Sequence, residues 1–314
     1  MSAAIDVRGL RKSYGAKLVL DGIDLNVAEG TIFSLLGPNG AGKTTAVQIL
    51  STLSTADAGE IRVAGHDLHR EPDAVRAAIG VTGQFSAVDG LMTGRENLIL
   101  MGDLHHLGKQ EARRRADDLL EQFDLADAGQ KLASTYSGGM KRRLDLAMTL
   151  VGRPHIIFLD EPTTGLDPRS RHRMWTLIRE LVAGGVTVLL TTQYLEEADQ
   201  LADRIAVLDH GRLVAEGTPD ELKRLAPGGH IRLRFTSPEE FTLAGRVLPT
   251  AVPDHESLVL QVPNDGSAHA LRDLLARIDD ASLEVDELTV HTPDLDDVFF
   301  AVTGQPAAKE VTAK

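Results

Sequence analysis

The chain has no cysteine, so it can form no disulfide, offer no thiolate nucleophile and build no cysteine-bearing zinc site. Nothing in it demands an oxidising compartment. Long apolar runs are missing too. None approaches the ~18 residues that a bilayer-spanning helix needs, which predicts no direct membrane insertion. Positive charge is in short supply: Lys plus Arg number 33 against 46 Asp plus Glu, a net charge of −13. That balance argues against a nucleic-acid partner and against attraction to anionic lipid. Any membrane contact is therefore expected to go through a protein. The opening MSAAIDVRGL lacks the basic and apolar blocks of a signal peptide, so a cytoplasmic polypeptide is expected unless something holds it to a membrane. No internal repeat or low-complexity tract stands out.

What is present is enough for one large domain and a small one in 314 residues. Near the N-terminus IDVRGL, GIDLNVAEG and EIRVAGHDL alternate over short stretches and close on Gly or Asp, which predicts an antiparallel sheet. Then the pattern changes. TIFSLL (31–36), IIFLD (156–160) and VTVLLTT (186–192) are continuous apolar runs of strand length, as expected of strands buried on both faces of a parallel sheet. Between 93 and 152 the chain reads as several helices without a strand, a helical insertion. After Asp167 as N-cap and Pro168 at the first helical position, Met174, Leu177, Ile178, Leu181 and Val182 recur at helical spacing until Gly184 and Gly185 stop them.

Thr218, Pro219, Asp220 and Glu221 suggest a capping box and a short helix. Pro227, Gly228 and Gly229 form the clearest boundary. The expected organisation is a large α/β domain over 1–227 and a small α+β domain over 228–304. Within the latter, HIRLRF, SLVLQV and LEVDELTV read as strands and 267–279 and 293–303 as helices. Residues 305–314 have too few apolar side chains to pack and read as a loose tail.

Directly after 31–36 comes GPNGAGKTT (37–45). It fits the P-loop pattern of Gly, four residues, Gly, Lys and Thr. Gly37, Pro38, Asn39, Gly40, Ala41 and Gly42 can curl backbone N–H groups around phosphate oxygens at a helix start, where the dipole favours negative charge. Lys43 is expected along the β and γ phosphates, with Thr45 beside it and the Thr44 hydroxyl on Mg²⁺. A Gly-rich turn alone is weak, but a strand before and a helix after strengthen it. The second acid for the metal is Asp160, at the end of 156–160, and Glu161 next to it is placed to take a proton from the attacking water. Two adjacent carboxylates alone more often mark a solvated loop. Following four apolar residues of a central strand, they favour a metal site.

Between these sites lies TYSGGMKRRLDLAMTLV (135–151), and here the sequence resembles ATP-binding cassette proteins. Ser137, Gly138 and Gly139 match the family's signature, although Ser137 is also a plausible N-cap. The D-loop is matched by Gly165, Leu166, Asp167 and Pro168, the Q-loop glutamine by Gln84, and the adenine-stacking aromatic by Tyr14. The resemblance covers about residues 3–225. It implies a P-loop NTPase fold and ATP with Mg²⁺ held by Thr44, Gln84 and Asp160. It also implies a head-to-tail pair of copies in which Ser137 and Gly139 of one close over ATP on Lys43, Thr44 and Thr45 of the other.

One departure narrows the resemblance. Most cassette ATPases carry a histidine after this last strand, where the present chain has Gln193. A glutamine amide can donate to phosphate and accept from water but cannot carry a proton at working pH, so Glu161 is expected to be the base. The run TTQYLEEADQLADRIAVLDHGRLVAEGT resembles the ATP-binding subunits of daunorubicin/doxorubicin-resistance-type antibiotic exporters, whose membrane channel is a separate polypeptide. That resemblance implies an exporter ATPase at the cytoplasmic face of the membrane. It extends to LDDVFFAVTG (295–304), where Leu295, Val298, Phe299 and Val302 form one apolar helix face, either ordinary packing or a dimer or regulatory contact. Phe85, Val88, Leu91 and Met92, just after Gln84, are apolar for a loop and either receive a membrane partner or complete the helical insertion. A soluble ATPase that remodels a macromolecular assembly, an ATP-binding switch that barely hydrolyses, and an importer subunit are the rival readings.

Overall fold

The computed structural model describes residues 2–84, 86–225, 229–264, 267–291 and 293–303. Phe85, the boundary at Pro227 and Gly228, and the tail at 305–314 lie outside them. The chain divides into two compact units, Met1–Pro219 and Asp220–Lys314.

The first unit begins with β1 (Ala3–Tyr14), β2 (Lys17–Ala28), β3 (Ile32–Leu36) and α1 (Lys43–Leu50). There follow β4 (Ala58–Val63), β5 (His66–Asp67), α2 (Pro72–Ala78) and β6 (Ile79–Thr82). The helical stretch is α3 (Gly94–Leu104), α4 (Lys109–Gln122) and α5 (Gly138–Thr149). The chain then returns to the sheet through β7 (Ile156–Asp160), α6 (Pro168–Ala183), β8 (Thr187–Thr192), α7 (Leu195–Leu201), β9 (Arg204–Asp209) and β10 (Arg212–Gly217). One sheet has the order β2-β1-β4-β5 and is antiparallel; the other runs β10-β9-β3-β8-β7-β6. In the second sheet every neighbouring pair is parallel except β9 with β10.

The apolar runs have the physical basis that their composition suggests. Ile157 and Leu159 of β7 join the core formed with α3 to α6, whereas Ile156 and Phe158 join the core shared with α1 and the antiparallel sheet. Successive side chains point to opposite faces, so a strand buried on both sides must be apolar at every position. At the entry to α3, the Thr93 hydroxyl accepts from the Glu96 N–H at 3.1 Å while the Glu96 carboxylate accepts from the Thr93 N–H at 2.8 Å. This reciprocal cap fixes where the helical stretch begins.

Two parallel neighbours of the predicted strands, β6 and β9, escape the sequence reading; β6 is only four residues long and includes Gly80. The helix α8 (Pro219–Lys223) starts on the last residue of the first unit, and the second unit continues with β11 (His230–Arg234), α9 (Pro238–Val247), β12 (Val252–Asp254), β13 (Val259–Pro263), α10 (Ala268–Asp280), β14 (Glu287–His291) and α11 (Leu295–Thr303). Its sheet order is β12-β13-β11-β14. The strand expected over 283–290 begins only at Glu287. Residues 281–283 are still closing α10: the N–H groups of Ala281 and Leu283 donate to Arg277 and Ile278 carbonyls, and Leu283 is buried in the core of this unit. The helix α9, capped by Ser237, was not anticipated; Thr242 and Gly245 inside it weaken its helical signal. On α11, Leu295 and Val298 are buried and Phe299 and Val302 half-buried.

Candidate active site

The P-loop occupies the carboxyl end of β3, where the Gly37 N–H donates to the Thr192 carbonyl at 3.2 Å and so continues the sheet. Ala41 is tied on both sides, donating to Pro38 and accepting from Gly211. The turn into α1 requires Gly42, whose φ is +114° and whose missing Cβ would lie 2.7 Å from a Leu20 methyl. No side chain caps this helix, which leaves its first N–H groups for a ligand. Lys43 is 4% exposed and its ammonium donates to the carbonyls of Gly37 at 2.7 Å and Pro38 at 3.0 Å. Burial pushes that ammonium below its ordinary value, and the nearby Glu161 and Asp160 pull it back.

The paired acids face this lysine from the end of β7. A Glu161 oxygen lies 3.8 Å from the Lys43 ammonium. Asp160 accepts from the hydroxyls of Thr44 at 3.3 Å and of Thr191. Glu161 has φ +49°, a left-handed conformation that costs a non-glycine residue about 1–3 kcal/mol. Its N–H is held by the Thr191 carbonyl and hydroxyl, both at 3.1 Å. A cleft of about 440 Å³ is lined by Tyr14, Asn39, Gly40, Gly42, Lys43, Thr44, Thr45, Gln84 and Glu161, together with Lys17 and Val19. Residues far apart in sequence thus meet around one space, with Tyr14 half-exposed at its wall and the Lys12 ammonium 5.2 Å from its ring. The oxygens of Thr44, Asp160 and Gln84 suit a hard cation. Among the described residues no group of three His, Cys, Asp or Glu side chains could hold a metal.

The remaining predicted residues lie outside the lining of this cleft. Ser137 caps α5, its hydroxyl accepting from the Met140 N–H at 3.2 Å, and Ser137 and Gly138 are exposed. Gly139 packs closely on α6: a Cβ there would sit 2.7 Å from the Ser170 hydroxyl oxygen. Ser170 donates from its N–H and hydroxyl to Asp167, at 3.0 and 2.6 Å, and these bonds hold the exposed carboxylate below its ordinary value. Signature and D-loop therefore form one surface. Gln193 follows β8 at a half-buried bend. Of the apolar residues after Gln84, Leu91 is 88% exposed, whereas Val88 packs against the helical core.

Sequence reasoning missed Lys17 and Val19, which reach the cleft because β1 and β2 bring Tyr14 and Lys17 into register. It also passed over Arg142, which is one of three successive basic residues on α5. Only the fold shows that this guanidinium turns inward to the carbonyls of Asp160, Glu161 and Pro162.

A P-loop at a parallel strand end, faced by an aspartate and a glutamate, defines a nucleoside triphosphatase cassette. The profile of the ABC transporter family matches residues 20–164. The chain is 53% identical over 303 residues to daunorubicin resistance ATP-binding protein DrrA3 of Streptomyces coeruleorubidus, covering 96% of each. It is 48% identical over 309 residues to daunorubicin/doxorubicin resistance ATP-binding protein DrrA of Streptomyces peucetius, covering 97% of this chain and 93% of that one. A nucleotide-free ATP-binding cassette from an ABC transporter superposes with a TM-score of 0.65 at 26% identity, over 71% of this chain and 94% of its own. The chain belongs to the ABC transporter family, as an ATP-binding and ATP-hydrolysing cassette.

Proposed function

We propose that this ATPase powers an exporter that removes antibiotics or other hydrophobic compounds through a separate membrane-spanning subunit, at whose cytoplasmic face it is bound. The observation that carries the reading is the cleft in which Lys43, Thr44, Gln84 and Glu161 converge, in a chain similar over nearly its whole length to two drug-resistance ATP-binding proteins. No helix among the described residues is long and apolar enough to cross a membrane, which supports a partner that supplies the pathway.

In this reading Lys43 and the α1 amides hold the ATP phosphates, while Thr44, Gln84 and Asp160 would hold Mg²⁺, which when bound would supply positive charge against the phosphates. Glu161 takes the proton of the attacking water, and Gln193 orients water or the γ-phosphate without carrying a proton. Ser137 and Gly139, exposed or half-exposed and outside the cleft lining, close over the ATP of a second copy in head-to-tail order. ATP thereby joins two copies and hydrolysis releases them.

The test uses tagged Glu161→Gln protein, whose turnover is expected to fall by about 10²–10⁴-fold and whose ATP-bound pair should therefore persist. Pull-down from native membranes with and without Mg-ATP is expected to recover a multi-spanning membrane protein. Recovery of soluble assemblies alone would replace the exporter with a remodelling ATPase. Undiminished turnover in Glu161→Gln, together with collapse in Gln193→Ala, would overturn the choice of base.

A further inference from the structure

Arg142, on the second turn of α5, has a side chain only 11% exposed. Its Nε donates to the Pro162 carbonyl at 2.9 Å; one terminal nitrogen donates to the Asp160 and Glu161 carbonyls at 3.0 and 3.2 Å. The other donates to the Gly83 carbonyl at 2.8 Å and to Asp145 at 3.3 Å. Asp145, itself 5% exposed, accepts with its second oxygen from the Ala87 N–H at 3.0 Å. A single ion pair on the signature helix thus grips the backbone of the acidic pair and the backbone on both sides of Gln84.

We propose that Arg142, held by Asp145, is a positioning residue for hydrolysis: it fixes Glu161 and Gln84 relative to each other and to the helix that begins at Ser137. The proposal rests on Glu161 as base and Gln84 as a metal ligand. Glu161 has a left-handed backbone. A residue in that conformation persists only where its surroundings over-determine it. Here three consecutive carbonyls, of Asp160, Glu161 and Pro162, all accept from one planar guanidinium. A guanidinium offers five donors in a rigid fork; an ammonium offers a point charge and three donors on a flexible stem. Lysine at this position therefore keeps the charge and loses the simultaneous grip. Because the P-loop is held by bonds within itself, from Lys43 to Gly37 and Pro38, and by Gly211, phosphate binding does not depend on that grip, but the geometry of attack does.

The experiment measures phosphate release, KM for ATP, Mg-ATP affinity and thermal midpoint in the full-length chain and in Arg142→Lys, Arg142→Ala, Asp145→Asn and Glu161→Gln. The expected result for Arg142→Lys is a kcat lowered by about 10–100-fold, the scale of a misplaced reacting group, with KM and ATP affinity within about twofold of the parent. Asp145→Asn keeps the shape and the acceptor for Ala87 but removes the charge facing Arg142, and should lower kcat in the same direction by less. Should Arg142→Lys or Arg142→Ala fail to fold, Asp145→Asn decides alone. A kcat within about twofold of the parent in the folded variants, or a parallel fall of kcat, ATP affinity and thermal midpoint as a structural role predicts, would overturn the proposal. Loss of turnover in Glu161→Gln beside intact Arg142 variants would refute the positioning role alone. Intact Glu161→Gln would refute the base assignment instead.

Discussion

The helices α1 and α5 both begin on glycine-rich sequence and are both assigned to phosphate, yet their starts are finished differently. At α1 no side chain caps the first turn, and a buried lysine reaches back to the carbonyls of the loop. At α5 the Ser137 hydroxyl caps its own helix, and Ser137 and Gly138 are exposed. One start is the floor of a cleft complete within a single chain. The other lines no part of that cleft and shares a surface with Asp167 and Ser170. The difference fits the two tasks proposed for them, α1 as the phosphate site of its own chain and α5 as a surface offered to the nucleotide of another copy.

The largest effect that sharpens this contrast is expected at Lys43. Lys43→Met removes a charged donor of phosphate while keeping most of the side-chain volume. With a hydrogen bond to a charged group at about 1.5–3 kcal/mol, ATP affinity of the purified chain should fall about 10–100-fold, measured by equilibrium binding under conditions too dilute for pairing. Unchanged affinity would mean that the backbone amides of α1 suffice.

Ser137→Ala should act the other way round. Losing an N-cap costs about 1 kcal/mol of stability, visible as a lower thermal midpoint, while ATP affinity of the dilute chain stays at the parent value. If that affinity falls as far as in Lys43→Met, the two helix starts are not separate in function and the contrast breaks.

How much of this was legible beforehand depended on how local the signal was. The P-loop, the pair Asp160 and Glu161, and the cap residues Ser137 and Asp167 declare themselves within a few residues, because strand, turn and helix follow one another there. The apolar runs at β3, β7 and β8 likewise betray burial on both faces. Arg142 could not be read in this way. Its neighbours Lys141 and Arg143 are basic as well, and its partners lie at Gly83 and at 160–162, joined only through the tertiary fold. Lys17 and Val19 were lost for a similar reason, since pairing of β1 with β2, not sequence, brings them to the cleft. The left-handed backbone of Glu161 has no sequence signature at all, because glutamate is not a residue that favours it.

The smallest expected effect concerns what stands behind the D-loop side. Glu197 on α7 is fully buried, and one of its oxygens accepts from the Thr163 hydroxyl at 2.7 Å and the Trp175 indole N–H at 3.1 Å. It thereby ties the segment after Glu161 to α6, whose first turn meets Gly139. Burial, the largest influence, pushes this carboxyl above its ordinary value, with the hydrogen bonds from Thr163, Thr192 and Trp175 pulling it back. A carboxyl whose value is raised by folding contributes stability that is fully present below its unfolded value and is lost as pH rises through the folded one. Glu197→Gln keeps the shape and the acceptor but never ionises. The thermal midpoint of the parent minus that of Glu197→Gln should therefore decline as pH is raised from about 5 to about 8, the interval above the unfolded carboxylate range. A difference that stays flat across that interval would show that the raised carboxyl is not coupled to folding, and the backing of the D-loop would then be a matter of packing and hydrogen bonding alone.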